Sequence, residues 1–98
     1  MTRHGVLAFV LCGLVARSAS SQRPIKVYIS ADMEGITGVA SADQLSPSGF
    51  EYQKAREWMT NEVLAAMQGA REAGATEFVV SDSHGNGESL LIDKFPAD

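Results

Sequence analysis

The spacing of apolar and polar positions changes character several times along this chain. Residues 5–15 are an apolar run without a charge, preceded by Arg3 and His4 and followed by the small residues Ala16, Ser18, Ala19 and Ser20. A basic start, a short apolar segment and an A-x-A-like site predict a signal peptide over residues 1–20. The run falls well short of the roughly twenty apolar residues that a spanning helix needs, so no stable membrane anchor is expected. Residues 25–30 (IKVYIS) are β-branched and aromatic and follow Pro24, which predicts a strand. From Phe50 onward, Ala55, Met59, Val63, Met67 and Ala70 recur every three or four residues, and Trp58, Leu64 and Ala66 widen the stripe. That is one face of a helix of roughly six turns. Ser48 and Glu51 have capping-box spacing for its start, and Gly74 suits its end. Residues 77–81 (EFVVS) predict a second strand, and residues 89–95 a short helix closed by Pro96.

A strand, helix and strand at this spacing imply parallel strands joined by a right-handed crossover. Parallel sheets are normally covered on both faces, so further strands and helices are expected. The fold class is therefore α/β: the N-terminal β-α-β portion of a larger parallel-sheet domain, residues 21–98, preceded by the signal peptide. Composition agrees, since 45% apolar residues suit a globular chain. Charge narrows the function. The chain has 8 basic and 12 acidic residues, net −4, and loss of Arg3 and Arg17 with the signal leaves 6 against 12, net −6. A nucleic-acid partner would call for the opposite sign, so none is expected. Cys12 is the single cysteine and lies in the signal, which leaves the mature part without disulfide or thiol chemistry.

The candidate chemistry sits in the loops after the two strands. In parallel α/β sheets, sites form outside the carboxyl ends of the strands. Here those ends deliver Asp32-x-Glu34 and Asp82-x-His84, each pair spaced so that both members can face one point. Gly35 and Gly85 follow directly and let the backbone turn away. Carboxylates mixed with an imidazole suit zinc, manganese or cobalt better than calcium, which prefers oxygen alone. Ordinary roles are expected elsewhere: Tyr52, Trp58 and Met59 in core or subunit contacts, and Glu51, Lys54, Arg56 and Glu57 on a solvent-exposed face. Glu88 and Asp93 are expected to be solvated charges.

The segments KVYIS, ADMEGITGV and SDSHG together resemble the DppA-type D-aminopeptidases, which are zinc metallopeptidases. The resemblance covers residues 25–98 in order and at similar separation. It implies two zinc ions in the complete protein, with Asp32 as the bridging carboxylate, Glu34 as a terminal ligand and His84 as the nitrogen ligand. Ions sharing a carboxylate acidify water near neutral pH. The remaining ligands and a catalytic histidine would come from later in the chain, because no histidine follows His84, so no catalytic residue is assigned within these residues. Asp82 then reads as orienting the loop or the imidazole. The resemblance further implies removal of N-terminal D-amino acids such as D-Ala from short peptides, and a ring-shaped homo-oligomer. The signal peptide adds export to the periplasm or the extracellular space, with the isolated chain expected to be inactive. Two alternatives stand beside this. A haloacid-dehalogenase-like phosphatase also starts with a strand and an acidic loop, but Glu34 stands where that class wants a second Asp. The other is a non-catalytic secreted fragment.

Overall fold

The computed structural model describes residues 23–97, so the signal segment predicted at residues 1–20 lies outside the described residues. Strand β1 spans Ile25–Ala31, a short helix α1 Ala42–Leu45, the long helix α2 Tyr52–Glu72, strand β2 Ala75–Asp82, and a 3-10 turn Ile92–Lys94. The strands are parallel neighbours, in register from Lys26↔Glu77 to Ala31↔Asp82 with one irregularity after Ile25. This is the expected α/β unit, and the in-register pairing brings both strand ends level. The two acidic loops therefore leave the sheet side by side.

Alternation along β1 decides what faces α2. Ala31 and Met33 are buried, whereas Asp32 and Glu34 between and after them are exposed. Met33 is fully enclosed and anchors the start of the loop; burial of such a side chain contributes about 1.5–3 kcal/mol. Ala31, Met33, Tyr52, Ala55, Met59, Val63 and Met67 form one core cluster, with Ile29, Phe78 and Val80 packed against it. The predicted stripe is thus the buried one, except that Ala66 points to solvent and Trp58, Leu64 and Ala70 are half-buried. The sheet face away from α2 carries Tyr28, 64% exposed, and Val79, 44% exposed. Among the described residues nothing covers it.

Local chemistry moved one boundary. Ser48 does not cap the long helix: α2 starts at Tyr52, and its N-cap Glu51 makes no side-chain cap bond. The cause is a tight turn at Gly49, which donates to the Ser46 carbonyl at 2.8 Å and accepts from the Tyr52 N–H at 3.2 Å. The reciprocal capping pattern belongs instead to Ser41 and Gln44 at the head of α1. Gly74 does end α2, with φ +104° and its N–H on the Arg71 carbonyl at 2.9 Å. Of the helix predicted at residues 89–95 only the 3-10 turn forms, and the chain before it is held to the rest of the fold by the Ser89, Leu90 and Leu91 N–H groups, which donate to the Asp82 and Thr60 side chains.

Candidate metal centre

The D-x-E-G loop is fastened on the side away from its carboxylates. Thr37 N–H donates to Glu62 Oε1 of α2 at 2.8 Å. The Trp58 ring lies under Gly38, where an added Cβ would stand 3.1 Å from it. Trp58 therefore supports this loop instead of filling the core. Buried Gln44 stitches the next segment, accepting the N–H groups of Ala40 and Ser41 at 2.6 and 2.9 Å and donating to the Gly38 carbonyl at 3.0 Å. These bonds place α1, and with it the Leu45 carbonyl, against the second loop.

His84 is buried where the loops meet. Its Nδ1 lies 2.8 Å from Glu34 Oε2 and 3.2 Å from Asp32 Oδ1, and its Nε2 lies 2.8 Å from the Leu45 carbonyl oxygen. A carbonyl can only accept, so Nε2 carries a hydrogen and the neutral ring keeps its lone pair on Nδ1. That lone pair faces the two carboxylates. One donor atom from each of Asp32, Glu34 and His84 lies within 4.8 Å of the others. Ligands on one tetrahedral zinc, at bond lengths of about 2.0–2.1 Å, sit roughly 3.3 Å apart. The Nδ1–Asp32 Oδ1 separation of 3.2 Å matches that spacing, Nδ1–Glu34 Oε2 at 2.8 Å is tighter, and all three donors lie within 4.8 Å, so the chemistry of this set fits a divalent ion after small side-chain adjustments. The carbonyl behind the imidazole is the orienting partner that metal-bound histidines characteristically have.

The electrostatics point the same way. Asp32 is held below the ordinary carboxylate range, chiefly by its hydrogen bond with Glu34; desolvation opposes this, while the Met33 N–H and His84 add to it. For His84, burial disfavours the charged ring, but the Leu45 carbonyl and the Glu34 and Asp32 carboxylates outweigh it, and the pKa is raised. A raised histidine pKa contributes stability that is complete below the unfolded value of about 6.5 and is lost as pH rises through the folded value. In metal-free protein the melting-temperature gap between wild type and His84→Gln is therefore expected to narrow as pH climbs from about 6 toward 8. Thermal melts across that range check this; a gap independent of pH would contradict the pairing.

Asp82 is the one predicted site residue that stays off the donor cluster. Both of its oxygens face backbone N–H groups of its own loop. Sequence reasoning missed the roles of Gln44, Leu45, Ser89 and Arg56. Ser41-x-x-Gln44 was a readable capping signal for α1, whereas no local pattern marks a backbone carbonyl as the partner of a distant histidine. Arg56, expected in solvent, donates from Nε to the Ser89 carbonyl at 3.0 Å. Lys54 and Glu57 do form an exposed ion pair, as expected of that face.

Parallel strands whose carboxyl ends present two carboxylates and an imidazole define an α/β protein with a hydrolase-type metal-ligand set. The family comparison is more specific. The profile of the M55 peptidases, described as D-aminopeptidase, matches residues 25–98, and this chain belongs to that family. The chain is also similar to the D-aminopeptidase of Bacillus subtilis (strain 168), at 34% identity over 70 residues. That match covers 71% of this chain and 26% of the relative, so the chain spans about a quarter of the relative's length. No solved structure matches it. The phosphatase alternative falls with the family match.

Proposed function

We propose that the chain forms the N-terminal part of a zinc-dependent D-aminopeptidase that removes residues such as D-Ala from the amino end of short peptides. The observation that carries this reading is the convergence of Asp32, Glu34 and His84 on one point in a chain of the D-aminopeptidase family. Zinc, when bound there, supplies Lewis acidity that acidifies water and polarises a scissile carbonyl. The chain's own residues prepare the site. Asp32 and Glu34 offer negative charge at the mouth of the sheet, with side chains 57% exposed and so open to an incoming ion. His84, locked through Nε2 by the Leu45 carbonyl, turns Nδ1 toward them. Three donors suffice for one catalytic-type zinc, which keeps a position open. In the complete protein Asp32 would be the carboxylate placed to serve a second ion as well, with that ion's other ligands supplied from elsewhere.

The pattern of residues 1–20 supports export to the periplasm or the extracellular space as part of the same reading. No helix among the described residues is long and apolar enough to cross a membrane. The open sheet face fits burial by further parts of the protein or by copies in a homo-oligomer. The decisive experiment is metal analysis of the full-length protein together with hydrolysis of D-alanyl and L-alanyl anilides. The expected result is zinc in the purified protein and cleavage of the D-substrate that chelation abolishes. Equal rates on both isomers, or activity that survives chelation, would overturn the reading.

A further inference from the structure

The loop after β2 has to hold a buried histidine while making a sharp reversal. Ser83 N–H is bonded to the Ala31 carbonyl at 2.7 Å, which fixes the loop's departure from the sheet. Gly87 N–H returns to the His84 carbonyl at 2.9 Å, and Gly85 and Gly87 take the positive φ values, +54° and +75°, that the reversal needs. The far end is seated on α2. Ser89 is fully buried, with its hydroxyl 3.1 Å from the Tyr52 hydroxyl and its carbonyl on Arg56. Leu91 N–H donates to Thr60 Oγ1 at 3.0 Å. Tyr52, Arg56 and Thr60 stand four residues apart, so one stripe of the helix receives the returning chain.

One side chain ties departure to return. Asp82 Oδ2 accepts from Ser89 N–H at 2.6 Å and from Leu90 N–H at 2.7 Å, while Oδ1 faces the His84 N–H at 3.3 Å. Charge-assisted bonds from backbone N–H groups to a carboxylate are the strong kind, and two of these are short. With both oxygens so occupied, the carboxylate is directed into its own loop and away from the donor cluster.

We propose that Asp82 is the positioning residue of the metal centre: by closing the loop across residues 82–90, it sets where His84 Nδ1 stands relative to Asp32 and Glu34. This rests on the reading of those three residues as the metal centre. A ligand displaced by a fraction of an ångström no longer shares an ion with its neighbours, so Asp82 acts on affinity without touching metal.

The test measures zinc affinity by competition with a chromophoric chelator, and the cobalt(II) absorption spectrum, on the full chain and its variants. Asp82→Ala is expected to weaken zinc 10–100-fold, in the range of partners that orient ligands, and to alter the cobalt spectrum. Asp82→Asn, whose carbonyl can still accept from Ser89 and Leu90, is expected to fall between Asp82→Ala and wild type. Val63→Ala serves as the control, because it removes buried core volume and Val63 takes part in none of the loop's hydrogen bonds. It is expected to lower the melting temperature and leave zinc affinity within about twofold. Should Asp82→Ala fail to fold, Asp82→Asn carries the same comparison. Wild-type affinity and spectrum in the folded Asp82 variants, or an equal loss in folded Val63→Ala, would overturn the proposal. A wild-type chain that takes up no zinc would overturn the metal-centre reading instead, and the proposal with it.

Discussion

Asp32→Ala is expected to reduce zinc affinity by more than about 100-fold, beyond the 10–100-fold range of orienting partners and so beyond Asp82→Ala. The carboxylate supplies the oxygen 3.2 Å from His84 Nδ1, and its replacement leaves Glu34 and His84 as the remaining donors in the cluster. The fold should tolerate the change. Asp32 is exposed and loses a local bond from the Met33 N–H at 2.9 Å and its 3.2 Å contact with His84 Nδ1, where Glu34 remains at 2.8 Å, while Met33 itself keeps the loop anchored in the core. The contrast with Asp82 is therefore informative, since one substitution removes a donor and the other moves one. Zinc content after dialysis and affinity by chelator competition check it. Similar zinc content and affinity in the two variants would refute the division of roles.

Gly49→Ala is expected to be the most destabilising small substitution outside the core, by roughly 2–4 kcal/mol, through a direct backbone clash. A Cβ at Gly49 would stand 1.9 Å from the Asp43 carbonyl oxygen and 2.8 Å from the Asp43 Cα. Those are backbone atoms, so no side-chain rotation relieves the overlap and the turn from α1 into α2 must open. The consequence reaches the site, because α1 supplies the Leu45 carbonyl that holds the His84 ring. Urea unfolding should show the lost stability, and nitrogen NMR of the imidazole should show a mixture of tautomers where wild type holds the proton on Nε2. Gly69→Ala is the matched comparison: its Cβ meets nothing within 4 Å, and it replaces a helix-interior glycine. A stability gain of about 0.5–1 kcal/mol is expected there. Equal stability of the two variants would refute the close approach at Gly49.

These expectations separate what was legible along the chain from what was not. The apolar stripe Ala55, Met59, Val63, Met67 is a local repeat, and a local repeat requires a helix with one buried face wherever it packs. The two strands, the parallel order and the terminal Gly74 were readable for the same reason. The start of α2 was misread because Ser48 and Glu51 have capping spacing, and spacing cannot show that the backbone at Gly49 folds back onto Asp43. Arg56 was placed in solvent from its charged neighbours, yet a helix of this length also receives the chain that returns after β2.

For the site, the sequence by itself determined which residues could bind metal and that they would leave the sheet at one end. The pairs Asp32-x-Glu34 and Asp82-x-His84 are local, and strand alternation with parallel order brings them together. Only the tertiary structure supplied the partners that hold them. It turned Asp82 onto the N–H groups of Ser89 and Leu90, and it brought the Leu45 carbonyl to His84 Nε2. Both contacts satisfy backbone groups that local sequence does not label. Which polar side chain meets a buried N–H or carbonyl depends on how distant segments pack, because such a group must find a partner in whatever comes to lie beside it.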